Sequence, residues 1–375
     1  MEILYENILD FDFRYLIMWI IGGVLIYLAI KKDMEPTLLL PIGFGAIVVN
    51  LPHSGAITQI LANGEAEEGL LTTLFDAGIS NELFPLLLFI GIGAMIDFGP
   101  ILTNPKLMIF GAAAQFGIFF TLCVASIFFP QNDSASIAII GAADGPTSIV
   151  VANKLKSDYL APIMVAAYSY MALVPIIQPP VIKLLTTKKE RLIRMKYETK
   201  NVSKITRILF PIIITIVAGL VAPASVSLVF CLMFGNLIRE CGVLNSLSET
   251  AQKTLANLIT IFLGISIASQ MNAEKFLTFE TILILCLGLV AFIFDTAGGV
   301  LFAKLLNLFL PEGKKVNPMI GAAGISAFPM SGRIVHKMGQ KEDPHNFLLM
   351  HSIGVNVSGQ IASVIAGGLI LSFFM

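Results

Sequence analysis

The stretch IIGAADGPTSIV, residues 139–150, places one carboxylate, two glycines and a proline inside an apolar run. An ionised Asp144 facing lipid is costly, so this side chain is expected to face a cavity, a partner helix or an ion. Gly145 and Pro146 interrupt regular helical hydrogen bonding, because proline lacks an N–H and glycine adopts unusual dihedral angles. Transporters build cation sites from such broken helices. The stretch predicts a cation site, and the alternative is a proline kink with Asp144 bonded to a neighbouring helix.

The rest of the chain is far more apolar than a soluble protein. Of its 375 residues, 56% are hydrophobic and 13% are charged, whereas a soluble domain carries about 25% charged residues. We therefore predict an all-α polytopic membrane protein with about ten membrane segments, some of them broken. The sequence contains no GxxxxGK loop, which argues against direct use of ATP, and no nucleic-acid partner is expected.

A basic loop divides the sequence. Residues 183–207 contain nine basic and two acidic side chains, which places this loop in the cytoplasm. The predicted organisation has four parts: an N-terminal span and loop region at 1–80, a first repeat at 81–185, the cytoplasmic loop at 186–207, and a second repeat at 208–375.

The two predicted repeats share a short motif. The tetrapeptide IGAA at 140–143 recurs at 320–323, and each copy is followed by helix-breaking residues that include Pro146 or Pro329. Paired interrupted segments in matching positions of two halves indicate a repeat transporter whose site lies between them, near the bilayer midplane. A chance match is the alternative in a chain with 31 glycines. Whether the repeats are inverted depends on the number of spans.

If the two broken segments meet, their polar residues form a candidate cation site. The first segment brings Asp144 as the charged ligand, with Thr147 or Ser148 as neutral ligands, and the second brings Asn317 and Ser326. Hydroxyls, amides and main-chain carbonyls around one carboxylate suit a hard monovalent cation such as Na⁺.

Five further polar residues have two or more interpretations. Arg333 binds an anionic substrate or snorkels to the membrane surface. Asn356 is a third cation ligand or an interhelical hydrogen bond. Tyr170 supplies a phenol to the cavity or packs as an aromatic side chain. Asp295 is a second ligand, a proton carrier or a helix cap, whereas Asp97 is expected to be a cap or turn residue.

Several long blocks resemble one protein family. The blocks are IGIGAMIDFGPILTNPKLMIFGAAAQFGIF (90–119), IIGAADGPTSIVVANKL (139–155), AAYSYMALVPIIQPP (166–180), FDTAGGVLFAKLLN (294–307) and NPMIGAAGISAFPMSGRIV (317–335). They resemble the β subunit of the biotin-dependent, sodium-pumping decarboxylases of oxaloacetate, methylmalonyl-CoA or glutaconyl-CoA. The likeness covers nearly the whole chain from about residue 80.

The resemblance implies a function. A carboxyltransferase subunit moves CO₂ onto biotin held by a carrier subunit, and the β subunit decarboxylates the carboxybiotin, consumes a proton and exports Na⁺. It also implies inverted repeats, a small single-span membrane subunit, homo-oligomers, and a multi-pass location in a prokaryotic cytoplasmic (inner) membrane. The chain has no Met-Lys-Met site for biotin attachment, so biotin arrives on another polypeptide. The length of 375 residues favours the acyl-CoA types over the oxaloacetate type.

The resemblance also assigns residues. The family's Na⁺ ligands fall on Asp144, Asn317, Gly321 and Asn356. Its catalytic residues fall on Asp144, Tyr170, Ser326 and Arg333, of which Ser326 and Arg333 are expected to meet carboxybiotin. From the residues alone, the alternative function is a Na⁺-coupled carboxylate symporter or Na⁺/H⁺ antiporter that performs no chemistry. A scaffold for soluble enzymes is disfavoured, because a scaffold needs no intramembrane acid.

Overall fold

The computed structural model describes residues 10–60, 63–196 and 201–375. Within these ranges the regular structure is helical, apart from an antiparallel pair of two-residue strands, β1 (Gln59–Ile60) and β2 (Ala66–Glu67). The predicted all-α class is confirmed.

The α-helices before the basic loop are α1 (Phe13–Lys32), α2 (Pro36–Val49), α3 (Leu70–Phe75), α4 (Leu83–Met95), α5 (Gly99–Thr103), α6 (Met108–Ala114), α7 (Phe116–Ala125), α8 (Gln131–Ala138), α9 (Gly145–Lys154) and α10 (Leu160–Leu185). Helix α11 (Lys188–Arg191) lies within the basic loop, and the remaining helices are α12 (Lys204–Val221), α13 (Val226–Glu240), α14 (Asn245–Glu249), α15 (Ala256–Ala268), α16 (Ala273–Phe276), α17 (Phe279–Phe309), α18 (Met330–Glu342) and α19 (Leu349–Phe374). Short 3₁₀ helices occupy Pro105–Leu107, Ile139–Ala142, Pro223–Ser225 and Pro318–Gly324, and π-helical turns occupy Asp76–Ser80 and Thr250–Leu255.

Seven helical stretches in the described residues are long and apolar enough to cross a bilayer. They are Phe13–Lys32, Pro105–Ala125, Leu160–Leu185, Lys204–Val221, Asn245–Ala268, Phe279–Phe309 and Leu349–Phe374. The helices at 70–80 and 83–95, bent by 63°, pass the same test together as an eighth. The remaining apolar helices are short or interrupted, so a total of about ten depends on how these are counted. The polytopic membrane class is confirmed.

Two interrupted segments lie at the centre of the fold. The first broken segment comprises α8, the 3₁₀ helix Ile139–Ala142, a break at Ala143 and Asp144, and α9. The second comprises the 3₁₀ helix Pro318–Gly324, an irregular stretch at 325–329, and α18. The break in the first segment has a physical cause, since Ala143 adopts a left-handed conformation (φ 52°) and Pro146 then occupies the first turn of α9, where its missing N–H costs no hydrogen bond.

The long helices α17 and α19 hold both broken segments. Gly321 lies so close to Gly299 of α17 that a Cβ there would collide with the Gly299 carbonyl oxygen, and Gly359 of α19 approaches the Gly324 carbonyl in the same way. On the first segment, a Cβ at Gly141 would lie 2.9 Å from the Ala291 Cβ of α17. Small residues at these crossings let the backbones touch, as is typical of membrane helix packing.

Helix lengths give the distance of each break from the ends of the helices that flank it. The 26 residues of α10 span about 39 Å at 1.5 Å per residue. This helix starts shortly after α9 ends and finishes beside the basic loop. The ten residues of α9 lead about 15 Å away from Asp144, whereas the 13 residues of α18 lead about 20 Å towards the basic loop. The two helices therefore leave the breaks in opposite directions, the geometry that inverted repeats require. The inverted repeat and its domain boundaries stay predictions.

Helices α2 and α4 pack on the second half of the chain. A Cβ at Gly45 of α2 would collide with the Cβ of Ala268 in α15, and Gly93 of α4 lies directly against the Leu232 carbonyl of α13. By contrast, only 17% of the apolar window in α1 and 11% of that in α12 are buried. Helices that expose this much apolar surface are suited to face lipid or another membrane helix.

Candidate functional site

Asp144 is the first residue of the site. It is 3% exposed and caps the N-terminus of α9. Its Oδ2 atom accepts hydrogen bonds from the Thr147 hydroxyl at 2.8 Å, the Gln360 amide at 3.0 Å and the Ser363 hydroxyl at 2.9 Å. The carboxylate therefore joins α9 to α19 and does not face lipid.

The second oxygen of Asp144 is much less engaged. Among the described residues, Oδ1 accepts only the Thr147 backbone N–H, at 3.4 Å. No Lys or Arg side chain in the described part of the chain forms an ion pair with Asp144. A buried carboxylate with neutral donors on one oxygen and no cationic partner favours binding of a cation at the other oxygen.

The two breaks touch each other. The backbone N–H of Ser326 donates to the carbonyl of Ala142 at 3.0 Å, two residues before Asp144. The Ser326 hydroxyl donates to the Gly359 carbonyl at 3.2 Å, and the Asn356 amide donates to the Ile325 carbonyl at 2.7 Å. The broken segments and α19 thus meet at one place.

Asn356 adds an available oxygen to this place. The side chain is fully buried, and its Oδ1 atom has no hydrogen-bond partner within the described ranges. Asn356 lies one turn before Gln360, which bonds to Asp144. Because buried polar atoms rarely stay unpaired, an orphaned amide oxygen on the helix that bonds to Asp144 fits a hard cation such as Na⁺.

Asn317 lies elsewhere. Its Oδ1 atom accepts the Met319 backbone N–H at 3.1 Å, and its Nδ2 atom donates to the carbonyls of Arg191 and Ile193 at 2.9 Å each. The seven residues of the following 3₁₀ helix rise about 14 Å at 2.0 Å per residue, which separates Asn317 from Ser326. The structure therefore joins Asn317 to the basic loop and does not bring it to Asp144.

Gly321 and Tyr170 both contact α17. The absence of a side chain at Gly321 permits the backbone contact with Gly299. The Tyr170 hydroxyl donates to the Leu285 carbonyl, and its ring packs in a cluster with Ile140 and Leu287. The hydrogen bonds that Asp144 accepts from the described residues come from Thr147, Gln360 and Ser363, so the structure places Gly321 and Tyr170 beside the site.

Arg333 is exposed on the first turn of α18. Its chain neighbour Gly332 packs against Ile353 of α19, so the helix itself is fixed while the guanidinium is free to meet an anion.

Asp97 has the predicted role, because its Oδ1 atom accepts the Gly99 N–H at 2.8 Å. Asp295 caps α7, since its Oδ1 atom accepts the Ile118 N–H at 3.1 Å.

Sequence reasoning missed three residues. Gln360 and Ser363 bond directly to Asp144, and the ring of the buried Tyr168 lies directly against Gly145. A signal for the first two was present, because Asn356, Gln360 and Ser363 have the i, i+4, i+7 spacing of one helix face.

Comparisons with known proteins identify the family of the chain. The family model described as "Na+-transporting oxaloacetate decarboxylase beta subunit" matches residues 14–374. The chain belongs to this family.

Relatives of several types support this membership. The β subunit of methylmalonyl-CoA decarboxylase from Propionigenium modestum is 48% identical over 96% of this chain and 94% of its own length. The β subunit of glutaconyl-CoA decarboxylase from Acidaminococcus fermentans is 48% identical, covering 95% of this chain and 92% of its own. The oxaloacetate decarboxylase β chain of Klebsiella pneumoniae is 43% identical, covering 96% and 95%. The predicted resemblance to the sodium-pumping decarboxylase β subunits is confirmed.

Proposed function

We propose that this chain decarboxylates carboxybiotin presented by a separate carrier subunit and couples that reaction to Na⁺ export. One observation carries the proposal. Asp144 is a buried carboxylate without a cationic partner among the described residues, at the point where the two broken segments are hydrogen-bonded to each other. Such a carboxylate has a use in a cation transporter and none in a passive membrane anchor.

Na⁺ binding is assigned first to Asp144 and Asn356. Asp144 Oδ1 supplies the negative charge, and Asn356 Oδ1 supplies a neutral oxygen. The donors on Asp144 Oδ2 hold the carboxylate in one orientation, so little reorganisation accompanies ion binding. Under this assignment Asn317 and Gly321 do not contact Na⁺. Asn317 fixes the second broken segment to the basic loop, and Gly321 fixes it to α17.

The chemical step is assigned to the cytoplasmic side of the breaks. Arg333 and the N-terminus of α18 attract the carboxylate of carboxybiotin. When the bond between the biotin nitrogen and the carboxyl carbon breaks, CO₂ leaves and the electron pair stays on nitrogen, which takes up one proton. The candidate relay for this proton is Asp144, the Ser326 hydroxyl or Tyr170. Because α9 and α18 leave the breaks towards opposite sides, rearrangement of the breaks can release Na⁺ outward by alternating access.

We infer that the partner carboxyltransferase acts on an acyl-CoA. The two acyl-CoA decarboxylase relatives above are 48% identical, against 43% for the oxaloacetate decarboxylase chain. The partners implied are the carboxyltransferase, the biotin carrier and a small single-span subunit, in the inner membrane, with a homo-oligomeric β subunit. Co-purification from native membranes tests this inference through the identity of the carboxyltransferase, and recovery of an oxaloacetate-specific enzyme would contradict it.

Avidin separates this function from a plain symporter. Proteoliposomes containing the whole complex are expected to take up ²²Na⁺ when decarboxylation is started, and avidin should stop both uptake and CO₂ release by trapping biotin. Inactivated avidin, presaturated with free biotin, is the control. Uptake that continues with active avidin, or that needs only the β subunit and a carboxylate gradient, would favour the symporter.

Asn356→Leu is expected to weaken Na⁺ activation by at least tenfold, because the variant loses the orphaned oxygen assigned to the Na⁺ site. A loss of about 1.4 kcal/mol in binding corresponds to that factor. The measurement is the Na⁺ concentration for half-maximal decarboxylation.

Asn236→Leu is the matched control. Asn236 is equally buried, its amide donates to the Ile96 carbonyl at 2.9 Å, and its Oδ1 atom also lacks a partner in the described residues. In folded Asn236→Leu protein, the Na⁺ concentration for half-maximal decarboxylation should stay at the wild-type value. Equal shifts in both variants would show that lost packing, and not lost coordination, explains the Asn356 result.

A further inference from the structure

The exposed face of α18 is a ladder of positive charge. Arg333, Lys337 and Lys341 are all exposed and follow one another at intervals of four residues, so they lie along one side of the helix. The opposite side is buried, with Val335 at 0% and Met338 at 9% exposure. We refer to the three cationic side chains as the basic ladder.

The basic ladder does not face lipid. Arg333 lies nine residues before Glu342, at the end of α18, which corresponds to about 14 Å along the helix axis. Three cations along a face within the membrane zone are too costly to meet hydrocarbon. The ladder therefore borders water or a polar ligand that enters from the side of the basic loop.

Neighbouring acids do not neutralise the ladder. Glu342 pairs with Arg191 at 2.8 Å, and Asp343 pairs with Arg194 at 2.6 Å. The hydrogen bond from Arg194 holds the pKa of the Asp343 carboxyl below its ordinary value, so this acid stays ionised and paired with the loop. The ion pairs of the described residues do not include any of the three ladder cations.

The ladder also leads to the site. Arg333 lies seven residues after Ser326, whose backbone N–H bonds to the Ala142 carbonyl next to the Asp144 break. An anion that follows the ladder from Lys341 to Arg333 thus arrives at the point where the broken segments meet. Clefts lined by one sign of charge concentrate ligands of the opposite charge and speed their association.

We propose that Lys337 and Lys341 are positioning residues that guide the carboxylated, negatively charged biotin arm of the carrier subunit from the cytoplasm to Arg333. This inference rests on the proposed function. The two lysines do not contact the reacting atoms, so they act on association of the carrier and leave the rate of the bound complex unchanged.

The test titrates carrier subunit carrying a ¹⁴C-labelled carboxyl group into membrane vesicles with the cytoplasmic face outward and measures initial ¹⁴CO₂ release. Lys337→Glu combined with Lys341→Glu should raise the KM for the carrier at least tenfold at low ionic strength, with kcat unchanged. Choline chloride at constant Na⁺ should shrink this difference, since charges are screened within about 3 Å at 1 M salt. Lys337→Arg combined with Lys341→Arg should restore the wild-type KM.

Lys106→Glu is the control for the change in charge. Lys106 is exposed and lies outside α18, in the 3₁₀ helix Pro105–Leu107. The proposal would be overturned if the double Glu variant had the same KM as Lys106→Glu. It would also be overturned if salt did not reduce the increase in KM. A fall in kcat at unchanged KM would also overturn it. Absence of ¹⁴CO₂ release from the wild-type vesicles would instead refute the proposed function.

Discussion

Asp144→Asn is expected to abolish both Na⁺-dependent decarboxylation and Na⁺ transport. The substitution keeps the size of the side chain and an oxygen for the donors on α19, but it removes the single negative charge between the two breaks. Two unit charges 4 Å apart interact by about 4 kcal/mol at an effective dielectric constant of about 20, and about 1.4 kcal/mol is a factor of ten. We therefore expect less than about 1% of wild-type activity in a proteoliposome assay of ¹⁴CO₂ release and ²²Na⁺ uptake.

Asp97→Asn provides the matched control. Asp97 also lies at the end of a membrane helix, but within the described ranges its carboxylate accepts only the Gly99 N–H, a role that an asparagine oxygen can take over. This variant should pump close to the wild-type rate. Normal pumping by a folded Asp144→Asn protein would remove Asp144 from the mechanism.

Gly321→Ala is expected to disrupt the second broken segment. A Cβ at this position would collide with the Gly299 carbonyl oxygen, and the backbone of α17 cannot move away locally because it also packs on the first segment at Ala291. Overpacking of this kind typically costs about 1–3 kcal/mol and occasionally more. We expect a melting temperature several degrees lower in detergent and a loss of most Na⁺ pumping.

Gly23→Ala separates this clash from the general effect of changing a glycine. Gly23 lies within α1, and apart from the backbone of α1 itself no atom of the described residues lies within 4 Å of a Cβ built there. The substitution should leave pumping unchanged and stabilise the helix by up to about 1 kcal/mol. A Gly321→Ala protein that melts and pumps like Gly23→Ala would show that the contact with Gly299 tolerates a side chain.

The centre of the fold can be predicted from the sequence because its residues are unusual in a membrane helix. A carboxylate, glycine and proline in an apolar run are visible without coordinates, and Asp144 is indeed buried at a helix break. The repeated IGAA motif likewise predicts two interrupted segments, and both form a 3₁₀ helix followed by an α-helix. These features depend on local chemistry, which one sequence contains.

The partners of Asp144 depend instead on how distant helices pack. Asn317 lies nine residues before Ser326, and a compact loop would bring the two together, but the intervening residues form a rising 3₁₀ helix. Gln360 reaches Asp144 across 216 positions. The spacing of Asn356, Gln360 and Ser363 predicts a polar face on α19, whereas the identity of the helix that meets this face is a property of the tertiary structure.

Equilibrium binding of ²²Na⁺ to the complex in lipid nanodiscs, without carboxybiotin, tests the central claim most directly. The account predicts saturable binding to the wild type and to Asp97→Asn, much weaker binding to Asn356→Leu, and none to Asp144→Asn over the same concentration range. Saturable binding of wild-type affinity and stoichiometry to Asp144→Asn would contradict it.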